Sequence, residues 1–245
     1  MTLTKNLGYN PADYPAFAVT SDIALFTIRD QHLCILLVKR SEDPYAGQWA
    51  LPGGFVGEDE TTTEAAQRRL TQETHIPSSG GYIEQLGTYS DPDRDPRMRV
   101  VTVAHIGFIP DLPAPTGGSD VADAVWIPVG EALDQPLAFD HRSIILDALD
   151  RVRNKIEYTN LATRFVPEEF TLADLRKVYE IVWGTQLNPA NFRRKVLNVE
   201  RFVNPTGRET RNRSAGRPAA TYTAVAATVT DGSNGEIMLN PPFRR

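Results

Sequence analysis

Residues 54–76 read GFVGEDETTTEAAQRRLTQETHI. Glycines and acidic residues open the stretch. From Thr61 to Thr74 good helix formers dominate, with Ala66, Leu70 and Thr74 at a spacing of four. That spacing predicts a helix over 61–74. Pro77-Ser78-Ser79-Gly80-Gly81 stops it.

Strand signals lie on both sides of this helix. Residues 17–29 (FAVTSDIALFTIR) and 32–39 (HLCILLVK) are apolar and β-branched, and Asp30-Gln31 between them predicts a hairpin. WALPGGFV (49–56) follows, broken by Pro-Gly-Gly. Downstream, YIEQLGTYS (82–90) and RVVTVAHIGFI (99–109) read as strands around a charged loop, DPDRDPR (91–97), and DAVWIPV (123–129) is a further short strand. HRSIILDALDRVRNKIEY (141–158) places Ile145, Ala148, Val152 and Ile156 on one helical face. Mixed strands and helices make the first half α+β. Cys34 reads as a core strand residue.

The second half has another rhythm. Thr171 followed by Asp174 matches a capping box with Asp in place of Glu. Leu172, Leu175, Tyr179 and Val182 then share one face, and Gly184 ends the helix. Asn188 caps a second helix with Pro189 at its first position. There Phe192, Val196 and Val199 fall on one side, and Asn191, Arg194, Lys195 and Asn198 on the other. Two β-prone runs follow, RFVN (201–204) and AATYTAV (219–225), separated by PTGRETRNRSAGRP. Helix, short turn, polar-faced helix and basic hairpin outline a winged helix-turn-helix. Such a helix can enter a major groove, where Arg pairs with guanine and Asn with adenine. The hairpin arginines can follow phosphates.

The charge is distributed to match. Residues 151–245 carry 16 Lys+Arg and 9 Asp+Glu, whereas residues 1–150 carry 10 and 22. That split suggests two domains with different partners, which we set at 1–158 and 159–245. No run of about 18 apolar residues is present, so a transmembrane helix is not expected. The start, MTLTKNLGYNPADYP, lacks the apolar centre of a secretory signal. One cysteine cannot form an intramolecular disulfide, which favours a reducing, cytoplasmic setting.

The 54–76 stretch resembles the Nudix box, Gx5Ex7REUxEExGU with U apolar. Gly54, Glu60, Arg68, Leu70, Glu73 and Ile76 match in register. Arg69 and Gln72 stand where the box has Glu, and His75 where it has Gly. LPGGFV (51–56) is the usual lead-in, and YSDPDRDPR (89–97) resembles the loop of Nudix proteins that handle ADP-ribose. The resemblance implies an α/β/α sandwich over roughly 15–155. It also implies divalent metal held by box glutamates, and here that set is depleted. Positions 69, 72 and 73 share one helical face. Three carboxylates there would suit Mg²⁺. Arg69 and Gln72 remove two of them, and Arg69 adds a permanent positive charge. The expectation is ligand binding without hydrolysis, with no metal or cofactor required. Glu58, Asp59, Glu60 and Glu64 leave residual metal binding open.

Over nearly its whole length the chain resembles the Nudix-related transcriptional regulators of bacterial NAD biosynthesis, on the box together with FTLADLRKVYEIVWG (170–184), NPANFRRKVL (188–197) and GRPAATY (216–222). The resemblance implies a dimeric repressor that binds palindromic operator DNA and is released by ADP-ribose, at the nucleoid when DNA-bound. Regulators of sugar catabolism share the architecture. An ADP-ribose or nucleotide-sugar pyrophosphatase and a protein-binding adaptor are the competing classes. Asn191, Arg193, Arg194, Lys195 and Asn198 are expected on DNA, with Thr206, Arg208, Arg211, Arg213 and Arg217 in the wing. The effector residues expected are Arg40, Gly53, Gly54, Arg69, Glu73, Arg94, Arg97 and Phe139. Trp49 reads either as an adenine-stacking ring or as a core residue beside Leu51. His141 reads as a helix start or as satisfying a local hydrogen bond.

Overall fold

A computed structural model describes residues 10–77, 82–108, 114–118, 121–210, 218–225, 239 and 243. The first half is a seven-stranded mixed sheet. Strands β1 (Ala18–Arg29), β2 (His32–Arg40), β3 (Trp49–Ala50), β4 (Gly53–Phe55), β5 (Tyr82–Tyr89), β6 (Val100–Phe108) and β7 (Val121–Pro128) form it. Its main path runs β3-β2-β1-β6-β5, with β4 paired to β1 and β7 to β2. β1 and β6 are parallel, joining Thr20 to Thr102 in register, and the other pairs are antiparallel.

The period-2 alternation of β1 sorts its side chains into two layers. Ile23 and Leu25 pack with Leu36, Ala66, Leu70 and Ile76, beneath helix α1 (Thr62–Thr74). Ala24 and Phe26 face the other way, into a cluster with Ile144, Ile145, Ala148 and Val152 of helix α3 (His141–Tyr158). The result is the expected α/β/α sandwich. Thr61 caps α1 by accepting from the Glu64 N–H, and Glu64 returns the bond to the Thr61 N–H at 2.8 Å. His75 takes the left-handed cap at φ 56°, the conformation a box glycine would adopt more cheaply. A short helix α2 (Val129–Asp134), not expected from the sequence, connects β7 towards α3.

In the second half, β8 (Glu169–Thr171), β10 (Ala219–Ala224) and β9 (Val203–Thr210) form a sheet in the order β8-β10-β9, beside α4 (Leu172–Trp183) and α5 (Pro189–Asn198). The Thr171–Asp174 capping box is present, Gly184 ends α4 at φ 65°, and Asn188 accepts from the Asn191 N–H at 3.0 Å. β9 is longer than the RFVN run: it continues through Pro205–Thr210, so Arg208 lies on the strand, not in a loop. One apolar cluster runs from the α3 face of the sheet through α4 to α5. The 3-10 turn Asn160–Phe165 carries it across, with the Phe165 ring 5.2 Å from Phe108.

Candidate functional site

A cavity of about 410 Å³ opens between β1, β2, the Pro-Gly-Gly segment, α1, the 91–97 loop and the start of α3. Eight of the nine expected effector residues line it: Arg40, Gly53, Gly54, Arg69, Glu73, Arg94, Arg97 and Phe139. Trp49 does not. Its half-buried ring packs against the main core, with Lys39 Nζ 5.7 Å from its centroid, so the core reading of Trp49 replaces the stacking one.

The arginines are held in distinct ways. Arg40 and Arg97 both lie over the Phe139 ring, at 4.9 and 5.7 Å from its centroid. Arg40 donates to the Pro44 and Glu42 carbonyls, and Arg97 pairs with Asp95 at 2.7 Å. Burial and the neighbouring Arg97 charge push the Arg40 pKa down. Guanidinium stays charged at neutral pH, so the two cations sharing one ring raise the local positive potential. Burial opposes ionisation of Asp95, but hydrogen bonds from Arg97 outweigh it and hold that carboxyl below the usual range. Arg94 departs from the expectation of a ligand-facing cation. It is buried, forms a two-pronged pair with Asp140 at 2.6 and 2.9 Å, and lies 3.9 Å from Asp22. Desolvated carboxylates already claim it.

On α1 the box residues pair among themselves. Arg68 bonds both oxygens of Glu60, at 2.5 and 2.9 Å, and reaches Gln72 at 3.1 Å. Hydrogen bonds from Arg68 and the Gly57 N–H hold Glu60 at a pKa of about 2. Glu73, 5% exposed, accepts from the Gly53 N–H at 3.1 Å and faces Arg69 at 3.8 Å. Gly53 is required by close approach, since a Cβ there would meet Asp22 Oδ1 at 2.2 Å. Among the described residues no cluster of three His, Cys, Asp or Glu side chains is arranged to hold a metal.

The cavity lining also includes Thr20, Asp22 and His141, polar residues that the sequence reading did not place there. Asp22 accepts from the Thr102 hydroxyl at 2.6 Å. His141 Nδ1 accepts from the Leu51 N–H at 2.9 Å, the local hydrogen bond expected of it. Burial pushes its pKa down, so the ring is neutral and its proton sits on Nε2, 3.9 Å from Asp22 Oδ1.

The second surface is α5. Asn191, Arg193, Arg194, Lys195 and Asn198 are all exposed, while Phe192 and Val196 are buried. Arg194 donates to Asn191 Oδ1 at 3.2 Å, and Lys195 Nζ lies 5.5 Å from the Phe243 ring centroid. The wing residues are more constrained than expected. Arg208 pairs with Glu169 at 2.6 Å, and Thr206 shares a 2.6 Å hydroxyl contact with Thr221. Arg211, Arg213 and Arg217 lie outside the described residues.

Helix α3 touches both regions. Its N-terminal end holds Asp140 and His141 at the cavity. Near its other end, Trp183 Nε1 donates to the Arg153 carbonyl at 3.1 Å, and Arg153 Nε donates to the Val182 carbonyl at 3.2 Å.

Comparison with known proteins matches both halves. A NUDIX domain profile covers residues 18–148, and a profile of the NrtR DNA-binding winged helix domain covers 162–224. An ADPR responsive transcriptional repressor, NtrR, of Acinetobacter baylyi is 36% identical over 191 residues, which are 77% of this chain and 76% of that protein. Shewanella oneidensis NrtR, crystallised with a 27mer DNA, superposes with a TM-score of 0.71 at 34% identity, over 84% of this chain and 93% of that one. The NUDIX domain of the same Shewanella protein, solved with ADP ribose, gives 0.55 at 38% identity, over 62% and 99%. No helix among the described residues is long and apolar enough to cross a membrane.

Proposed function

The chain belongs to the family of Nudix-domain transcriptional repressors that carry an NrtR DNA-binding winged helix, and from that premise we propose that it represses NAD-biosynthesis genes and releases its operator when ADP-ribose binds. Residues 159–245 bind the DNA, through Asn191, Arg193, Arg194, Lys195 and Asn198 on α5 and through the wing. Residues 1–158 bind the effector. A homodimer in the cytoplasm would match a palindromic operator, with two recognition helices about one helical turn apart, roughly 34–36 Å.

The arrangement of the box carries the sensor reading. The residues present do not suit a divalent ion: Arg68 occupies both oxygens of Glu60, and Glu73 is committed to the Gly53 N–H beside Arg69. The positive face made by Arg40 and Arg97 over Phe139 suits the diphosphate of ADP-ribose. Binding then proceeds without the metal that would drive hydrolysis.

A gel-shift titration with operator duplex, with and without ADP-ribose, tests this. The complex should form in the absence of ADP-ribose and dissociate as it is added. AMP release with Mg²⁺ should be absent or very slow. Turnover in the ordinary range of about 1–1000 per second, with no operator binding, would establish the pyrophosphatase instead.

A further inference from the structure

On the cavity wall made by β1 and the start of α3, three polar atoms have no hydrogen-bond partner among the described residues. Thr20 Oγ1 is buried without one. Asp22 spends Oδ2 on the Thr102 hydroxyl, with Arg94 3.9 Å away, and Oδ1, which abuts Gly53, has the 3.9 Å approach of His141 Nε2. That nitrogen carries the His141 proton, because Nδ1 is taken by the Leu51 N–H. Thr20, Asp22 and His141 are 7%, 6% and 3% exposed, and all three line the cavity. A buried donor or acceptor left unmade costs about 1–3 kcal/mol; Thr20 Oγ1 is such an atom, and with Asp22 Oδ1 and His141 Nε2 beside it on the cavity wall it points to an occupant.

Their chemistry narrows that occupant. A carboxylate oxygen only accepts, a histidine N–H only donates, and a threonine hydroxyl does both. A phosphate would be repelled by Asp22. An alcohol fits, because one oxygen can donate to Asp22 Oδ1 and accept from His141 Nε2. Alternation along β1 places Thr20 on the same face as Asp22, within reach of a neighbouring hydroxyl. The His141 ring lies 5.4 Å from Phe139, the ring that Arg40 and Arg97 share. The alcohol site therefore adjoins the proposed diphosphate site.

We propose that Thr20, Asp22 and His141 form a subsite for vicinal sugar hydroxyls, selecting a nucleoside diphosphate that carries a second sugar over the bare nucleoside diphosphate. This rests on the effector reading above. In ADP-ribose the group read is the second ribose, which ADP lacks.

Calorimetric titration of the full chain with ADP-ribose and with ADP tests the subsite. Wild type should prefer ADP-ribose by about tenfold or more, one to two charge-assisted hydrogen bonds. Asp22→Asn and the near-isosteric Thr20→Val should shrink that preference, read as the ratio of ADP-ribose to ADP affinity within each variant. A ligand-side arm needs no variant: ADP-ribose lacking the hydroxyls of its second ribose should bind wild type like ADP. Equal binding of ADP and ADP-ribose by wild type, or full affinity for the deoxygenated ligand, overturns the subsite and leaves the effector reading standing. If wild type binds neither nucleotide, both readings fall.

Discussion

Around the cavity the protein holds its own cations: Arg94 against Asp140, Arg97 against Asp95, Arg40 on two carbonyls and Arg69 beside Glu73. On α5, Arg193, Arg194 and Lys195 stand exposed, and the described side-chain hydrogen bond of Arg194 is to Asn191 on the same helix. The difference follows from what each surface must meet. A small anion in a concave site is recognised by guanidiniums fixed beforehand, because ordering them on binding would cost side-chain entropy. A duplex is a long polyanion whose counterions are displaced, and flexible exposed cations suit it. Positive charge is thus structural around the cavity and exposed on α5.

Arg94→Ala is the harshest test of that contrast. It strands Asp140 and Asp22 in a buried site, and breaking such a pair costs about 3–5 kcal/mol. Arg193→Ala, on an exposed helix face, should stay within about 0.5 kcal/mol. Urea denaturation of both variants measures this, and similar losses would erase the distinction.

The next largest effect lies on DNA. Arg194→Ala should cost about 1–3 kcal/mol on the cognate operator if it reads a base. Arg193→Ala should weaken all duplexes alike and reduce the salt slope by about one. Fluorescence anisotropy on operator and scrambled duplex, over a salt series, separates the two. Equal losses on both duplexes for Arg194→Ala would make it a phosphate contact.

The contrast also explains what could be read in advance. Helix α1 announced itself by apolar spacing, and α4 and α5 by caps as well, because those signals are local: Thr171 with Asp174, and Asn188 before Pro189. α5 showed its exposed polar face for the same reason. The cavity was legible where the box, its lead-in and the 91–97 loop mark it, and at Arg40 and Phe139. Thr20 and Asp22 sit inside an apolar strand run and gain their setting from Thr102, 80 residues away from Asp22 in the chain. Arg94 looked like a ligand cation since nothing local shows that Asp140, 46 residues on, would take it. Trp49 likewise needed its packing partners to be placed.

Coupling between the halves comes third. α3 begins at His141 on the cavity, just after Asp140, the partner of Arg94, and is hydrogen-bonded to α4 through Arg153 and Trp183. A ligand that favours one setting of this helix changes DNA affinity only by its differential affinity for the two settings. ADP-ribose should weaken operator binding by roughly 5–150-fold, and operator should weaken ADP-ribose binding by the same factor. Calorimetry with free protein and with the operator complex reads both directions. Equal affinities would mean that the two halves work independently.

The smallest expected effect is a pH dependence confined to the first half. Glu60 lies at about 2, against its usual 4.5, because Arg68 and the Gly57 N–H bond the carboxylate. A depressed carboxyl pKa stabilises the fold above the unfolded-state value and stops doing so as pH falls through the folded one. The contribution is therefore fully present above about 4.5 and fades between there and about 2. The pair sits at the surface, where solvent and salt screen it, so the gain is small. Glu60→Gln should lower the thermal midpoint slightly at pH 7, and the gap from wild type should close as pH approaches 2. Operator binding at neutral pH should be unchanged, since the pair touches neither α5 nor the wing. A gap that persists at pH 2 would mean that Glu60 acts through packing or neutral hydrogen bonds, and that its charge is immaterial.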